Sequence, residues 1–349
     1  MSTSRPDRLL IVRLSSLGDL VHTLPVVPPL SGAFPGTPLD WLVDSRWSPL
    51  IKLVRGISEV IPLQSSVSGY LRCMRRVRRK RYSCIIDFQG IYRSAILGWS
   101  SGAERRIGRD RNSARERGAA RFYTERIAPS GQHVAAMSMS LAVHAGAQPP
   151  TEMQFPITVP ADQVMQLRKK LSGEQSETYI VLSPGGGWKS KCWPAERFGA
   201  LCAQIWQRNG IRCVINLAPG EQQLGKEVVA SSFPAKPIVY RPALPELVAL
   251  LSQALLVVGA DTGPLHLAAA LGTRVIALFG STNAARNGPL PRGVLIQNYS
   301  AQPPNYQRGD YIRGHSYSPE MLSISVEQVL AAVEQEISRT SLAPLQPSA

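Results

Sequence analysis

The sequence predicts an α/β protein built from two open, doubly wound parallel sheets. Short, wholly apolar runs alternate with helical patterns along nearly the whole chain, which is the signature of βα units around a parallel sheet. The chain also has 349 residues. That is long for one hydrophobic core, so two domains of roughly 150 residues each are expected. An apolar fraction of 44% is ordinary for a globular chain and excludes a disordered or fibrous class.

In chain order, the first half offers strands at 8–14, 39–43 and 83–87, the last being "SCIIDF". Helices fit 18–32, kinked or ended at Pro25 or Pro28 because proline brings no N–H to the ladder, then 46–55 and 68–80. A second series opens near residue 178 with "TYIVLSPGG" and continues through "IRCVINLAP", "PIVYR", "LLVVGAD" and "RVIALFG". Its helical stretches are 194–208, 221–231, 244–254 and 264–271. Residues 149–177 are Pro-rich and then polar, which reads as a hinge between two similar halves. The domains are therefore 1–160 and 175–322, followed by a last helix near 323–338 and a tail, 339–349, that reads as disordered.

Charge narrows the partners. The formal net charge is +15, which implies attraction to nucleic acid, an anionic membrane surface or a phosphorylated substrate. Five cysteines without a C-x-x-C spacing read as reduced thiols of a cytoplasmic protein, with neither a disulfide framework nor a zinc site. No signal peptide is visible, and the longest apolar stretch is broken by Ser252 and Gln253, too short to span a bilayer.

In open α/β sheets, ligands bind beyond the carboxyl ends of the strands, so the strand-to-helix turns are where function is sought. The first turn, "RLSSLGD", places Asp19 just after Gly18 at a helix start. Asp19 or Ser16 can simply cap that helix. Alternatively, Asp19 is a general base able to take a proton from a hydroxyl nucleophile. The second turn, "VLSPGGGWKSKCWPAERF", exposes backbone amides at Gly186 and Gly187, with Lys189 and Lys191 ahead of a helix. A flexible loop is one reading and a phosphate cradle the other. It matches neither the Walker A spacing nor G-x-G-x-x-G.

In the third turn, "LLVVGADTGPLHLAAALG", Asp261, Thr262 and Gly263 precede a helix opened by Pro264. Thr262 as N-cap leaves an open helix terminus that suits an anion. The helix excludes the all-β setting of an aspartic protease. His266 is either a core histidine or part of that anion site. Glu221, after the strand "CVINL", either complements a helix dipole or holds ribose hydroxyls.

Two basic stretches remain. "LRCMRRVRRKRY" has seven basic residues in positions 72–81, and residues 105–126 continue the trend. A solvated face, nucleic acid, or a phosphorylated lipid on an anionic leaflet would each explain them. The absence of a nucleic-acid module and the scarcity of aromatics within the runs argue against nucleic acid.

Taken together, "SSLGDLVHTLP", "IIDFQGIYRSA", "KCWPAERF" and "DTGPLHLAAALG" resemble glycosyltransferase family 9, the ADP-heptose:lipopolysaccharide heptosyltransferases, over about residues 8–337. The match looks closest to the branch that adds the first heptose to the Kdo sugar of the inner core. The resemblance implies a GT-B fold: two Rossmann-like domains facing across a cleft, with the last helix packing back on the N-terminal domain. It implies Asp19 as the catalytic base. It implies a donor site of Gly186, Gly187, Lys191, Glu221, Asp261, Thr262, Gly263 and His266.

An acceptor site is expected around Ser15, Ser16, Gly18, Gln89 and Arg93, with Arg75, Arg76, Arg78 and Arg79 meeting the anionic glycolipid or the inner leaflet. One departure stands out: Gly186 and Gly187 occupy positions where that branch often has a Thr pair. No D-x-D-like pair lies near either loop, so no metal or other cofactor is expected besides the nucleotide-sugar substrate. The resulting expectation is a monomeric, inverting transferase, cytoplasmic and peripheral to the inner membrane, that does not bind nucleic acid.

Overall fold

The structure is a computed structural model and describes residues 6–171, 178–291, 293–298 and 316–342. The chain divides into two units, Met1–Thr158 and Val159–Ala349.

The first unit has strands β1 (Leu9–Val12), β2 (Leu39–Asp44), β3 (Glu59–Leu63), β4 (Cys84–Asp87), β5 (Arg105–Arg109) and β6 (Glu125–Ile127). Its helices are α1 (Leu17–Thr23), α2 (Val27–Ala33), α3 (Ser48–Ile51), α4 (Val67–Arg79), α5 (Tyr92–Ser100) and α6 (Val134–Ala145). The sheet order is β3-β2-β1-β4-β5-β6, parallel throughout. Strand β1 is buried along its whole length, as befits a central strand covered on both faces.

The second unit has β7 (Tyr179–Ser183), β8 (Arg212–Asn216), β9 (Ile238–Tyr240), β10 (Leu256–Ala260), β11 (Val275–Phe279) and β12 (Val294–Gln297). Its helices are α7 (Ala161–Leu171), α8 (Ala195–Asn209), α9 (Gln222–Ala230), α10 (Leu244–Ser252), α11 (Gly263–Ala270), α12 (Ala284–Asn287), α13 (Pro319–Ser323) and α14 (Val326–Leu342). The order β12-β11-β10-β7-β8-β9 repeats the first unit's topology. In each sheet the winding reverses between the first and fourth strands, β1/β4 and β7/β10, and such switch points open a crevice at the strands' carboxyl ends.

The helix expected over 18–32 breaks at Pro25, one of the two prolines expected to kink or end it, which lies in a 3₁₀ turn, Leu24–Val26, between α1 and α2. Other expectations need correction. The helix expected over 46–55 shrinks to a 3₁₀ turn and α3. Residues 161–171, placed in the hinge, form α7, which is tied to α10 by Lys170–Glu246 (2.7 Å) and lies within the second unit. Gly18 lies inside α1, directly before Asp19.

The last helix buries Val329, Leu330 and Val333 in the second unit's core. The approach to that helix is pinned by Trp193 Nε1 donating to the Ile324 carbonyl (2.9 Å) and by Arg197 donating to the carbonyls of Leu322 and Ile324. Helix α14 also runs to Leu342, beyond the expected end. The rest of the expected tail, 343–349, lies outside the described residues.

Candidate active site

In the first unit, Asp19 is the third residue of α1. Its Oδ2 accepts the Ser16 amide (3.1 Å) and the Ser16 hydroxyl (3.4 Å), so its capping role is real. That role does not exhaust the carboxylate. Oδ1 sits 2.7 Å from Arg13 Nη2, and the Asp19 side chain is 34% exposed, open to a second reactant. Burial pushes its carboxyl up, but Arg13, the Ser16 amide, His22 and Arg115 outweigh that and hold it below the usual carboxylate range.

Arg13 is itself fixed, donating through Nη1 to the Phe88 carbonyl. Across the switch point, Gln89 Oε1 accepts the amides of Leu14 (2.9 Å) and Ser15 (3.1 Å). Gln89 is therefore a positioning residue for the Asp19 turn. Buried Asp87 shapes that second turn. It accepts the amides of Gln89 and Gly90 and the hydroxyls of Ser94 and Tyr123, and burial raises its pKa against these bonds. Arg93 lies at the same end of the sheet, in the first turn of α5, with Nη2 3.5 Å from the Gln64 carbonyl.

The arginines expected to bind the acceptor are not at this end. Arg75, Arg76, Arg78 and Arg79 occupy the last turns of α4, and Arg76 pairs with Glu59 (2.5 Å) at the amino end of β3. A strand of four or five residues separates its two ends by about 15 Å, so these residues lie on the far side of the sheet from Asp19. Sequence reading missed Arg13 and Arg115. Arg13's signal was a lone cation inside "LLIVRL"; Arg115 was one arginine among many in its run.

In the second unit, Asp261 follows β10. Lys191 Nζ lies 2.9 Å from its Oδ2 and His266 Nε2 lies 2.8 Å from its Oδ1. Both oxygens are engaged, so Asp261 orients Lys191 and His266 and is not itself a free ligand. Burial pushes its carboxyl up, yet Lys191 and His266 outweigh that and hold it far below the usual range. Thr262 is the N-cap of α11 but makes no capping bond through its side chain. Its Oγ1 is buried without a hydrogen-bond partner among the described residues, beside the amide of Gly263.

The glycine loop closes on the same place. A Cβ added at Gly186 would lie 3.6 Å from Thr262 Cγ2 and 2.9 Å from Cys192 Sγ. One added at Gly185 would lie 2.1 Å from Glu221 Oε1, and Glu221 Oε2 accepts the Ala218 amide (2.7 Å). Gly187 faces open space. The turn that carries Lys191 is braced by Ser281, whose hydroxyl donates to the Ser190 carbonyl (3.1 Å). A cation, an open helix terminus, an orphaned hydroxyl and bare amides thus converge, as an anionic diphosphate requires.

The family model of glycosyltransferase family 9 (heptosyltransferase) matches residues 70–309, well over half of the chain. The chain belongs to glycosyltransferase family 9. The lipopolysaccharide heptosyltransferase 1 of Pseudomonas aeruginosa is 29% identical over 302 residues, covering 82% of each chain. Among solved structures, Escherichia coli ADP-heptose lps heptosyltransferase II superposes with a TM-score of 0.78 at 18% identity, over 96% of this chain and 99% of that one. Escherichia coli heptosyltransferase WaaC with ADP gives 0.73 at 24% identity, over 94% and 99%. At these identities the structural likeness speaks for the fold, two Rossmann-like units of the GT-B kind. Family membership makes the chain a glycosyltransferase.

Proposed function

We propose that this glycosyltransferase moves a heptose from ADP-heptose to the Kdo region of an inner-core lipopolysaccharide acceptor, with inversion and without a metal. The observation that carries the reading is a partly open carboxylate, Asp19, at one sheet's switch point and an anion cradle at the other's. The curated relative from Pseudomonas is a lipopolysaccharide heptosyltransferase, and a solved relative holds ADP.

The donor's diphosphate lies against Lys191, the Gly263 amide and Thr262 Oγ1, with Glu221 meeting the ribose. The acceptor hydroxyl attacks the anomeric carbon as its bond to the diphosphate oxygen breaks. ADP leaves with the bonding pair, and attack opposite the leaving group inverts the centre. Lys191 and the helix terminus stabilise charge on the departing phosphate, a role a metal would otherwise fill. The acceptor proton passes to Asp19. Held ionised by Arg13, Asp19 is a weak base, so the transfer completes late, once the forming C–O bond has made the proton acidic. Arg13 and Arg115 beside Asp19 suit an anionic sugar acid. The acceptor would be a phosphorylated glycolipid met at the cytoplasmic face of the membrane by a monomeric enzyme, with no role for nucleic acid.

A second reading keeps the fold and changes the donor or the reaction. The open space beside Gly187, where the Thr pair is missing, would admit another nucleotide sugar. Thermal shifts with ADP, UDP and GDP decide between donors, since only the bound nucleotide stabilises the fold. Asp19→Asn should lower kcat by roughly 10²–10⁴-fold, with ADP affinity unchanged and chelators without effect. Near-normal turnover in Asp19→Asn would overturn the base assignment.

A further inference from the structure

The segment between β5 and β6 is a built turn fastened to the start of α5. Asp110, just past β5, donates its amide to the Ile127 carbonyl (2.9 Å). Its Oδ1 accepts the Ser113 amide (2.9 Å) and its carbonyl accepts that of Ala114 (2.8 Å). The Glu116 amide then donates to the Gly90 carbonyl (3.0 Å), and Glu116 Oε2 accepts the Tyr92 amide (2.6 Å). The approach is close: Gly90 has φ +68°, and a Cβ there would lie 3.4 Å from the Arg115 amide nitrogen. Farther along, a Cβ added at Gly118 would collide with the Tyr92 hydroxyl, so the tip of that ring is seated over Gly118.

Glu116 works away from its own element. It is the N-cap of the 3₁₀ turn Arg117–Phe122, yet its side chain makes no capping bond there. Helix α5 has Ile91 as its N-cap, which brings no side-chain acceptor, and the first amides of a helix have no partner within it. Glu116 supplies that acceptor across 24 residues of chain, with a negative charge at a helix N-terminus. Its neighbour Arg115 is exposed and, among the described residues, makes no hydrogen bond or ion pair through its side chain. Asp19 nevertheless feels the Arg115 charge. The backbone of this turn therefore decides where that guanidinium stands.

We propose that Glu116 is a positioning residue: by clamping residues 110–118 onto the start of α5, it holds Arg115 where its charge acts on Asp19. The clamp lands on the turn whose Gln89 accepts the amides of Leu14 and Ser15. One piece of backbone thus fixes both the Asp19 turn and the cation that faces it. Without the clamp, Arg115 rides on a loop that its own side chain does not anchor, and a misplacement of about 1 Å can cost a reaction roughly a hundredfold. The negative charge of Glu116 opposes the effect of Arg115 on Asp19, so positioning and direct charge predict opposite signs on its removal. The role of Asp19 as base rests on the proposed reaction; the clamp rests on the loop's own geometry.

The test follows the Asp19 carboxyl carbon through a pH titration by NMR, in the full-length protein labelled at aspartate. The other groups that act on Asp19 are Arg13, the Ser16 amide and His22, with the His133 ring packed 5.1 Å from that of His22, and all are kept in every variant. In Glu116→Ala the titration should move up as far as in Arg115→Met, and the double variant should move no farther. Glu116→Gln keeps an oxygen for the Tyr92 amide and loses only the charge, so its titration should stay at or below that of wild type. Tyr92→Pro removes the donor and keeps the carboxylate; proline is at home in the first helical position, and the variant should reproduce Glu116→Ala. Acceptor kcat/KM should fall roughly 10- to 100-fold in Glu116→Ala and stay near wild type in Glu116→Gln, with ADP affinity unchanged in both. The same titration in Glu116→Ala and Glu116→Gln overturns the proposal, as does a Glu116→Ala effect undiminished in the Arg115→Met background. A shifted titration with normal turnover would remove Asp19 as the base and leave the clamp standing; lost turnover with an unmoved titration is the reverse.

Discussion

Arg13 decides how Asp19 behaves. A half-buried carboxylate left to itself would be pushed towards neutrality by desolvation, and the guanidinium 2.7 Å away reverses that sign. Folding therefore favours the ionised form of Asp19. The corresponding stability is present above the ordinary carboxylate value of 3.8 and is lost as pH falls through the lower folded value. Asp19 should accordingly contribute no limb to the kcat/KM profile from neutral pH down to about 4. In Arg13→Met, with the Ser16 amide, His22 and Arg115 left to oppose burial, the acid limb should move up towards neutrality and kcat should fall. Arg13→Lys keeps the charge and should restore most of the shift. An unmoved limb in Arg13→Met would show that the ion pair does not tune the base.

At the scale of elements, the glycine loop after β7 contains positions with opposite tolerance. A methyl group at Gly185 collides with the tip of Glu221, whereas one at Gly187 meets nothing within 4 Å. Because a flexible side chain can swing away, Gly185→Ala should cost little stability. It should nevertheless break the Glu221–Ala218 bond, worth about 1 kcal/mol, and weaken ADP binding measurably by calorimetry. Gly187→Ala should leave ADP binding unchanged. Equal affinities for the two variants would remove Glu221 from the donor site.

At the scale of the molecule, two sheets of the same strand order each carry their own buried core, and the donor cradle belongs to one of them. Calorimetry should resolve two transitions, with ADP raising only that of residues 159–349. At ADP a hundredfold above Kd the gain should be about 2.7 kcal/mol. Movement of the transition of the first unit alone would place the nucleotide in the wrong half.

The sequence by itself determined the α/β class, the five strands of the second series and the turns after β1, β7 and β10, because buried parallel strands are apolar runs and their turns are punctuated by glycine and helix caps. It did not reveal β3, β5, β6 or β12. Pro62 breaks the pattern in β3, and arginines crowd β5, whose burial falls on Ile107 and Gly108 alone. Tertiary structure decided three further matters. Pairing of Arg76 with Glu59 sends the basic run to the amino end of the sheet. The apolar face of α14 finds its partners on the second unit. Lys191 and His266 both close on Asp261. Each depends on which residues distant in the chain become neighbours, and local periodicity carries no information about that.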